Sequence, residues 1–156
     1  MAVLHERPTA FGVGIDISED AARLAKANAD RLGLGSRAAF LCGDWAEAMQ
    51  GAFDLVLSNP PYIESATVPA LMPEVSDHEP RRALDGGRDG LDAYRIIVRE
   101  LPGLLARDGA AVLEVGAGQA RAVAFLASAV GFAASLRQDL GGIERAVILR
   151  RDQARK

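Results

Sequence analysis

A single cysteine, Cys42, stands among 156 residues, so neither an intrachain disulfide nor a cysteine-based zinc cluster can form. Histidine is nearly as scarce. His5 and His78 are solitary and read as solvated side chains, and no metal site is expected. Long apolar runs are also missing: the longest, Val123 to Leu136, is rich in Ala, Ser and Gly and too short to cross a bilayer. Met1 to Pro8 lacks the charged-then-apolar order of a secretion signal. Neither sign of charge dominates, since 18 basic against 21 acidic residues leave a net charge of −3. That balance offers no basic surface and argues against direct nucleic-acid binding. With 49% hydrophobic residues, the chain reads as one cytoplasmic globular domain that does not engage a membrane.

What is present alternates between strand and helix. Phe11 to Asp16 is a short apolar run ending in an acid, which predicts a buried strand. Ser18 then serves as an N-cap, and Ala22, Leu24, Ala25, Ala29 and Leu32 follow at helical spacing up to Gly33. Ala38–Cys42 and Phe53–Ser58 read as further strands. Two prolines halt the second of these at Asn59-Pro60-Pro61-Tyr62. From Ile63 to about Gly90 lies a long segment that predicts either a functional loop or short hidden structure. Beyond it come a helix over Leu91–Ala106, a strand over Ala110–Val115 and a helix over Gln119–Val130. A strand pair, Phe132–Arg137 and Glu144–Leu149, turns at Gly141-Gly142. Strands apolar along their whole length and separated by helices predict a parallel sheet covered on both faces. The fold class is α/β: a Rossmann-like, doubly wound, mostly parallel sheet with an antiparallel C-terminal edge. Ligands of such a sheet sit beyond the carboxyl ends of its strands.

Several of those ends carry polar or unusual residues. Asp16 stands where an acid accepts hydrogen bonds from ribose hydroxyls, or it caps the helix that follows. Asp44 could accept an exocyclic adenine amine beside apolar neighbours, or Asp44-Trp45 is a cap followed by a core aromatic. Asn59 places an amide carbonyl at a strand end, Pro60 and Pro61 fix the backbone around it, and Tyr62 offers an aromatic face. Such a site suits a planar nitrogen bearing two hydrogens. The Asn59 side-chain oxygen and the Pro60 carbonyl could each accept one N–H, so catalysis would be positioning and electrostatics. Glu114-Val-Gly116-Ala-Gly118-Gln119, with Asp139 downstream, raises a competing possibility: a glycine-rich cofactor loop in a circularly permuted domain. Alternatively, those glycines only permit tight strand-to-helix packing. Arg150, Arg151, Arg155 and Lys156 read as a basic terminus.

Asn59-Pro60-Pro61-Tyr62 resembles the catalytic signature of S-adenosylmethionine-dependent amino-methyltransferases, whose targets are adenine N6, cytosine N4, guanine N2 or glutamine amides. Met72-Pro-Glu-Val, His78-Glu79-Pro80, Ala83-Leu84-Asp85-Gly86-Gly87 and Asp89-Gly90-Leu91-Asp92 narrow the resemblance to peptide chain release factor glutamine N5-methyltransferases. Asp139-Leu140-Gly141-Gly142, Arg145-Ala-Val and the Glu114-to-Gln119 turn are similar to that family as well, so the likeness runs from Phe11 to Arg150. The resemblance implies S-adenosylmethionine as cofactor, with Asp16 on the ribose and Asp44 and Trp45 on the adenine. Asn59 would face both cofactor and substrate. Pro60, Pro61 and Tyr62 would frame a glutamine belonging to the Gly-Gly-Gln loop of a release factor. Glu79 and Pro80 would order a lid-like loop. A ribosomal-protein glutamine or a nucleobase is the alternative target, and a non-catalytic remnant is the alternative to an enzyme.

The family also has an N-terminal helical domain and a central first strand followed by a Gly-x-Gly-x-Gly turn. Nothing before Phe11 supplies that turn, and Met1 to Pro8 resembles the end of the helix after it. Residues 1–150 therefore read as a catalytic domain incomplete at its N-terminus, and 151–156 as a basic tail. Without the central strand, the sheet must close across a gap or leave two apolar edges open. We expect the isolated 156-residue chain to bind S-adenosylmethionine weakly or not at all. Calorimetric titration checks this, and an ordinary micromolar affinity would overturn it.

Overall fold

A computed structural model describes residues 1–47, 49–72 and 80–153, in two units, Met1–Met49 and Gln50–Lys156. In the first, a short helix α1 (Ala2–Glu6) precedes β1 (Gly12–Asp16), α2 (Glu19–Arg31) and β2 (Ala38–Cys42). The strands β1 and β2 are parallel neighbours in a two-stranded sheet, with Gly12 opposite Ala38 and Asp16 opposite Cys42. Ser18 caps α2 as the sequence predicts, its Oγ accepting from Ala21 N at 3.3 Å. Only Ala22 and Ala29 of that helix are buried, while Leu24 and Leu32 stay exposed. Leu24 lies two residues beyond Ala22, about 200° around the helix, and so cannot share its face. Leu32 has already left the helix as its C-cap. The apolar cluster of this unit is small: Leu4, Ala29 and Leu34, with Ala10, Ala38 and Phe40 against it. Arg37 ties α1 in place through the carbonyls of Leu4, Arg7 and Ala10.

The second unit holds β3 (Phe53–Ser58), α3 (Arg81–Leu84), α4 (Asp92–Leu104), β4 (Leu105–Glu114), α5 (Ala120–Ala129), β5 (Phe132–Gln138) and β6 (Glu144–Arg151). Its four strands are ordered β3-β4-β6-β5. The pair β3 and β4 is parallel, and β6 runs antiparallel to both β4 and β5. The reversed strand is thus internal, and β5 paired to it makes the antiparallel C-terminal edge that the sequence predicts. The helix α4 buries Tyr94, Ile97, Val98, Leu101 and Leu104 at three- and four-residue spacing. Leu113, Val115, Val123, Val147 and Leu149 are fully buried in the same unit.

The six strands form two hydrogen-bonded sheets, the open-edged one of the two expected outcomes. Two expectations are corrected here. Coverage on both faces fails at β3, where Leu55 and Leu57 share a face and are 41% and 57% exposed, and the buried strand expected at Phe11–Asp16 has no buried residue in β1. The basic tail expected from residue 151, with Arg150 counted in the same terminus, gives way to strand through Arg151. Arg151 donates to the carbonyls of Pro102 and Leu105 at 2.8 and 2.7 Å, satisfying the last turn of α4, and lies over the Phe132 ring. Arg155 and Lys156 lie outside the described residues.

Among the described residues, no helix is long and apolar enough to cross a membrane. Replacing Leu113 by Ala should lower stability by about 2–5 kcal/mol, because the side chain leaves a cavity in a packed interior. Leu57→Ala should cost less than about 0.5 kcal/mol. Urea unfolding of the two variants checks the contrast.

Candidate functional site

In the first unit, Asp16 ends β1 opposite the last residue of β2, and Asp44 follows β2 by two residues. Both carboxylates therefore emerge at one end of one parallel sheet, on strands spaced about 4.8 Å apart. Both are exposed, and Trp45 is half-buried. The Asp16 carboxylate accepts from Ser18 N at 2.8 Å, a turn bond that orients it just ahead of α2. Trp45 is not a core residue, and its φ of 51° is the one positive value among non-glycine residues described. A bulky side chain adopts that backbone only where its surroundings hold it there.

In the second unit, Asn59-Pro60-Pro61-Tyr62 follows directly on β3, whose last residue, Ser58, pairs with Leu113. Pro60 is buried, Pro61 and Tyr62 are half-buried, and Asn59 is exposed, which leaves its amide open to a ligand. The chain then pairs once more. Ile63 bridges to Asp85, with Ile63 N donating to Leu84 O at 3.0 Å and Gly86 N to Ile63 O at 2.8 Å. The long segment between them contains a short 3-10 turn over Val68–Ala70 and the four-residue α3. Hidden short structure is therefore present, as the sequence predicts. The Pro73–Val75 stretch, His78 and Glu79 lie outside the described residues.

The return at Asp85-Gly86 is closely fitted. A Cβ on Gly86 would stand 2.8 Å from Tyr62 Cα, 2.9 Å from Pro61 O and 3.0 Å from Gly90 Cα. Asp85 accepts from Ser65 Oγ at 2.5 Å and Gly87 N at 3.0 Å. The serine bond, then the backbone N–H, holds its carboxyl below the ordinary carboxylate range. Asp89 is held near 2 by the Arg95 guanidinium, which it meets at 2.5 Å. Tyr94 is fully buried and donates to Glu114 O at 2.8 Å. Burial, followed by the neighbouring Tyr62 and Glu114, pushes its phenol well above its usual value.

The glycine turn after β4 does follow a strand and open a helix. Its first glycine is nevertheless occupied by protein: Gly116 N donates to Gln119 Oε1 at 3.1 Å, and a Cβ there would lie 3.0 Å from Tyr62 Cδ2. Asp139 is engaged as well, accepting from Gly141 N, Ile143 N and Arg145 Nε inside the β5–β6 hairpin. Gly116 is filled by its own protein neighbours and Asp139 is engaged within its hairpin, which favours the packing account of this turn over a permuted cofactor loop. Among the described residues, no group of three His, Cys, Asp or Glu side chains could hold a metal ion.

Sequence reasoning assigns no role to Gln119, Tyr94 or Gly86 in shaping this turn. The available signal is a glutamine at a helix start, where a shorter capping residue is usual, together with the crowded glycines at 86, 87 and 90.

Residues 1–83 match a family model described as a methyltransferase domain. The release factor glutamine methyltransferase of Rhodospirillum rubrum is 52% identical over 155 residues, covering 99% of this chain and 48% of that protein. The protein of the same name from Bradyrhizobium diazoefficiens is 46% identical over 153 residues, covering 97% and 52%. The chain spans about half the length of the curated relatives it matches. Among solved structures, a methyltransferase from Pyrococcus furiosus shares the fold with a TM-score of 0.66 at 14% identity, covering 95% of this chain and 66% of that one.

Gly86→Ala should destabilise the second unit by about 1–3 kcal/mol, because the added methyl meets backbone on three sides and nothing flexible can yield. Thermal unfolding of the variant beside the parent chain measures the loss.

Proposed function

Because the chain belongs to the methyltransferase-domain family, we propose that it forms part of a cytoplasmic, S-adenosylmethionine-dependent enzyme that methylates the side-chain amide nitrogen of a release factor glutamine. The observation that carries this reading is Asn59-Pro60-Pro61-Tyr62 at the carboxyl end of β3, with Asn59 exposed and Pro60 buried. Similarity over 99% and 97% of this chain to about half of two release factor glutamine methyltransferases supports the choice of substrate.

Each unit contributes its own groups. Asp16 and Asp44, at adjacent parallel strand ends, fit the diol of a ribose and the amine of an adenine, and Trp45 supplies an aromatic surface next to Asp44. S-adenosylmethionine, when bound, supplies a methyl group on a positively charged sulfur. The Asn59 side-chain oxygen and the Pro60 carbonyl accept the two amide hydrogens of the substrate glutamine. Two acceptors hold the nitrogen and enrich its electron density, so no base has to remove a proton before attack. Pro61 and Tyr62 frame the flat amide, Tyr62 through its ring. The Gly-Gly-Gln loop of the release factor presents that glutamine.

The test uses a chimera in which this chain replaces its matching half of the Rhodospirillum rubrum relative, with labelled S-adenosylmethionine. Release factor, ribosomal protein and an oligonucleotide are offered in parallel. Label should enter the release factor glutamine, and Asn59→Ala should cut turnover by about 10²–10³-fold with an unchanged circular dichroism spectrum. Retained turnover in that variant, or label in the oligonucleotide, overturns the assignment.

A further inference from the structure

The Gln119 side chain touches three separate loops of the second unit. Its Nε2 donates to Tyr62 O at 2.9 Å and to Gly90 O at 3.3 Å, while Oε1 accepts from Gly116 N at 3.1 Å. Both amide hydrogens and one oxygen lone pair are thus committed to backbone. Gln119 is also the N-cap residue of α5, yet its side chain makes no capping bond to that helix. A residue that leaves helix amides uncapped in order to reach other loops is placed for those loops. The neighbouring backbone is fitted to it: Gly90 has φ +71°, and any Cβ there would collide with Gln119 Nε2 and Tyr62 O.

We propose that Gln119 is a positioning residue, its amide fixing the Tyr62 carbonyl and so the turn that carries Asn59 and the Pro60 carbonyl. The prolines make such a tether necessary. Pro60 and Pro61 have no N–H with which to anchor the turn, and the Tyr62 carbonyl takes a side-chain donor instead. Tyr62 O belongs to the peptide that leads into the Ile63 bridge, so the glutamine bond and the bridge fix consecutive points of the chain. This inference rests on the methyl-transfer reading for its catalytic consequence, whereas the tether itself is a property of the chain alone.

Two arms test it. Hydrogen exchange is followed on the 156-residue chain and on Gln119→Met and Gln119→Glu. The Met variant should exchange about tenfold faster at the amides of Ile63, Ser65, Gly86 and Gly116. The Glu variant keeps an acceptor for Gly116 N but loses both donors, so Gly116 should stay protected while the other three loosen. Amides of Val112 and Leu113 in β4 should be unchanged in both. In the chimera, Gln119→Met should lower kcat about tenfold and leave KM for S-adenosylmethionine unaltered. Unchanged exchange at Ile63 and Gly86 overturns the tether, and equal loosening of β4 overturns it by showing a general folding role. An unaltered kcat overturns the positioning role. A parent chimera that transfers no methyl group overturns the methyl-transfer reading instead, and the exchange arm then decides the tether.

Discussion

A chain that leaves its strand through two prolines has no N–H to offer for two residues, and the second unit is arranged around that shortage. The ladder between β3 and β4 stops at Ser58, and past Asn59 neither Pro60 nor Pro61 could donate to it. Order beyond that point comes from elsewhere: the buried ring of Pro60, the bridge from Ile63 to Asp85, and the glutamine amide on the Tyr62 carbonyl. A flexible turn at this place would leave Asn59 free to sample many positions. Held by these contacts, the backbone that carries Asn59 has little freedom left to lose.

The two units divide the chemistry by residue type. The first presents carboxylates at neighbouring strand ends, suited to the hydroxyls and amine of a nucleoside. The second presents neutral carbonyl oxygens, suited to an amide. The units also differ in how much apolar surface they close off. The first has three buried residues in its cluster, whereas the second encloses a tyrosine, several leucines and five valines. The turn carrying Asn59 therefore stands on the better-packed support, and the carboxylates and Trp45 on the lighter one.

Much of this was legible in the sequence. The strands Ala38–Cys42 and Phe53–Ser58 are bounded to the residue, because short apolar runs meet Gly43 at one end and a proline pair at the other. Asp16, Asp44 and Asn59 fall at strand ends as their spacing predicts. The start of β4 was hidden, since Arg107-Asp108-Gly109 looks like a connection but is part of the strand, with its register shift opposite Phe53 and Leu55. Nor could the sequence show the placement of β6 between β4 and β5, since hairpin neighbours are equally consistent with an edge. The contacts of Gln119 with Tyr62 and Gly90 span 57 and 29 residues, and no local pattern reports partners so far apart.

The internal position of β6 also dictates an order of assembly. Residues Ala111 to Glu114 acquire their second neighbour only when Ala146 to Leu149 arrive. Until then β4 has β3 on one side and an open edge on the other, so Leu113 and Val115 cannot be sealed from water. During synthesis the turn carrying Asn59 is therefore made early and finished late. Its scaffold sets only when a strand almost ninety residues downstream slides in against the flow of the sheet, and a nascent chain halted before Glu144 would hold the signature tetrapeptide without the platform that gives it shape.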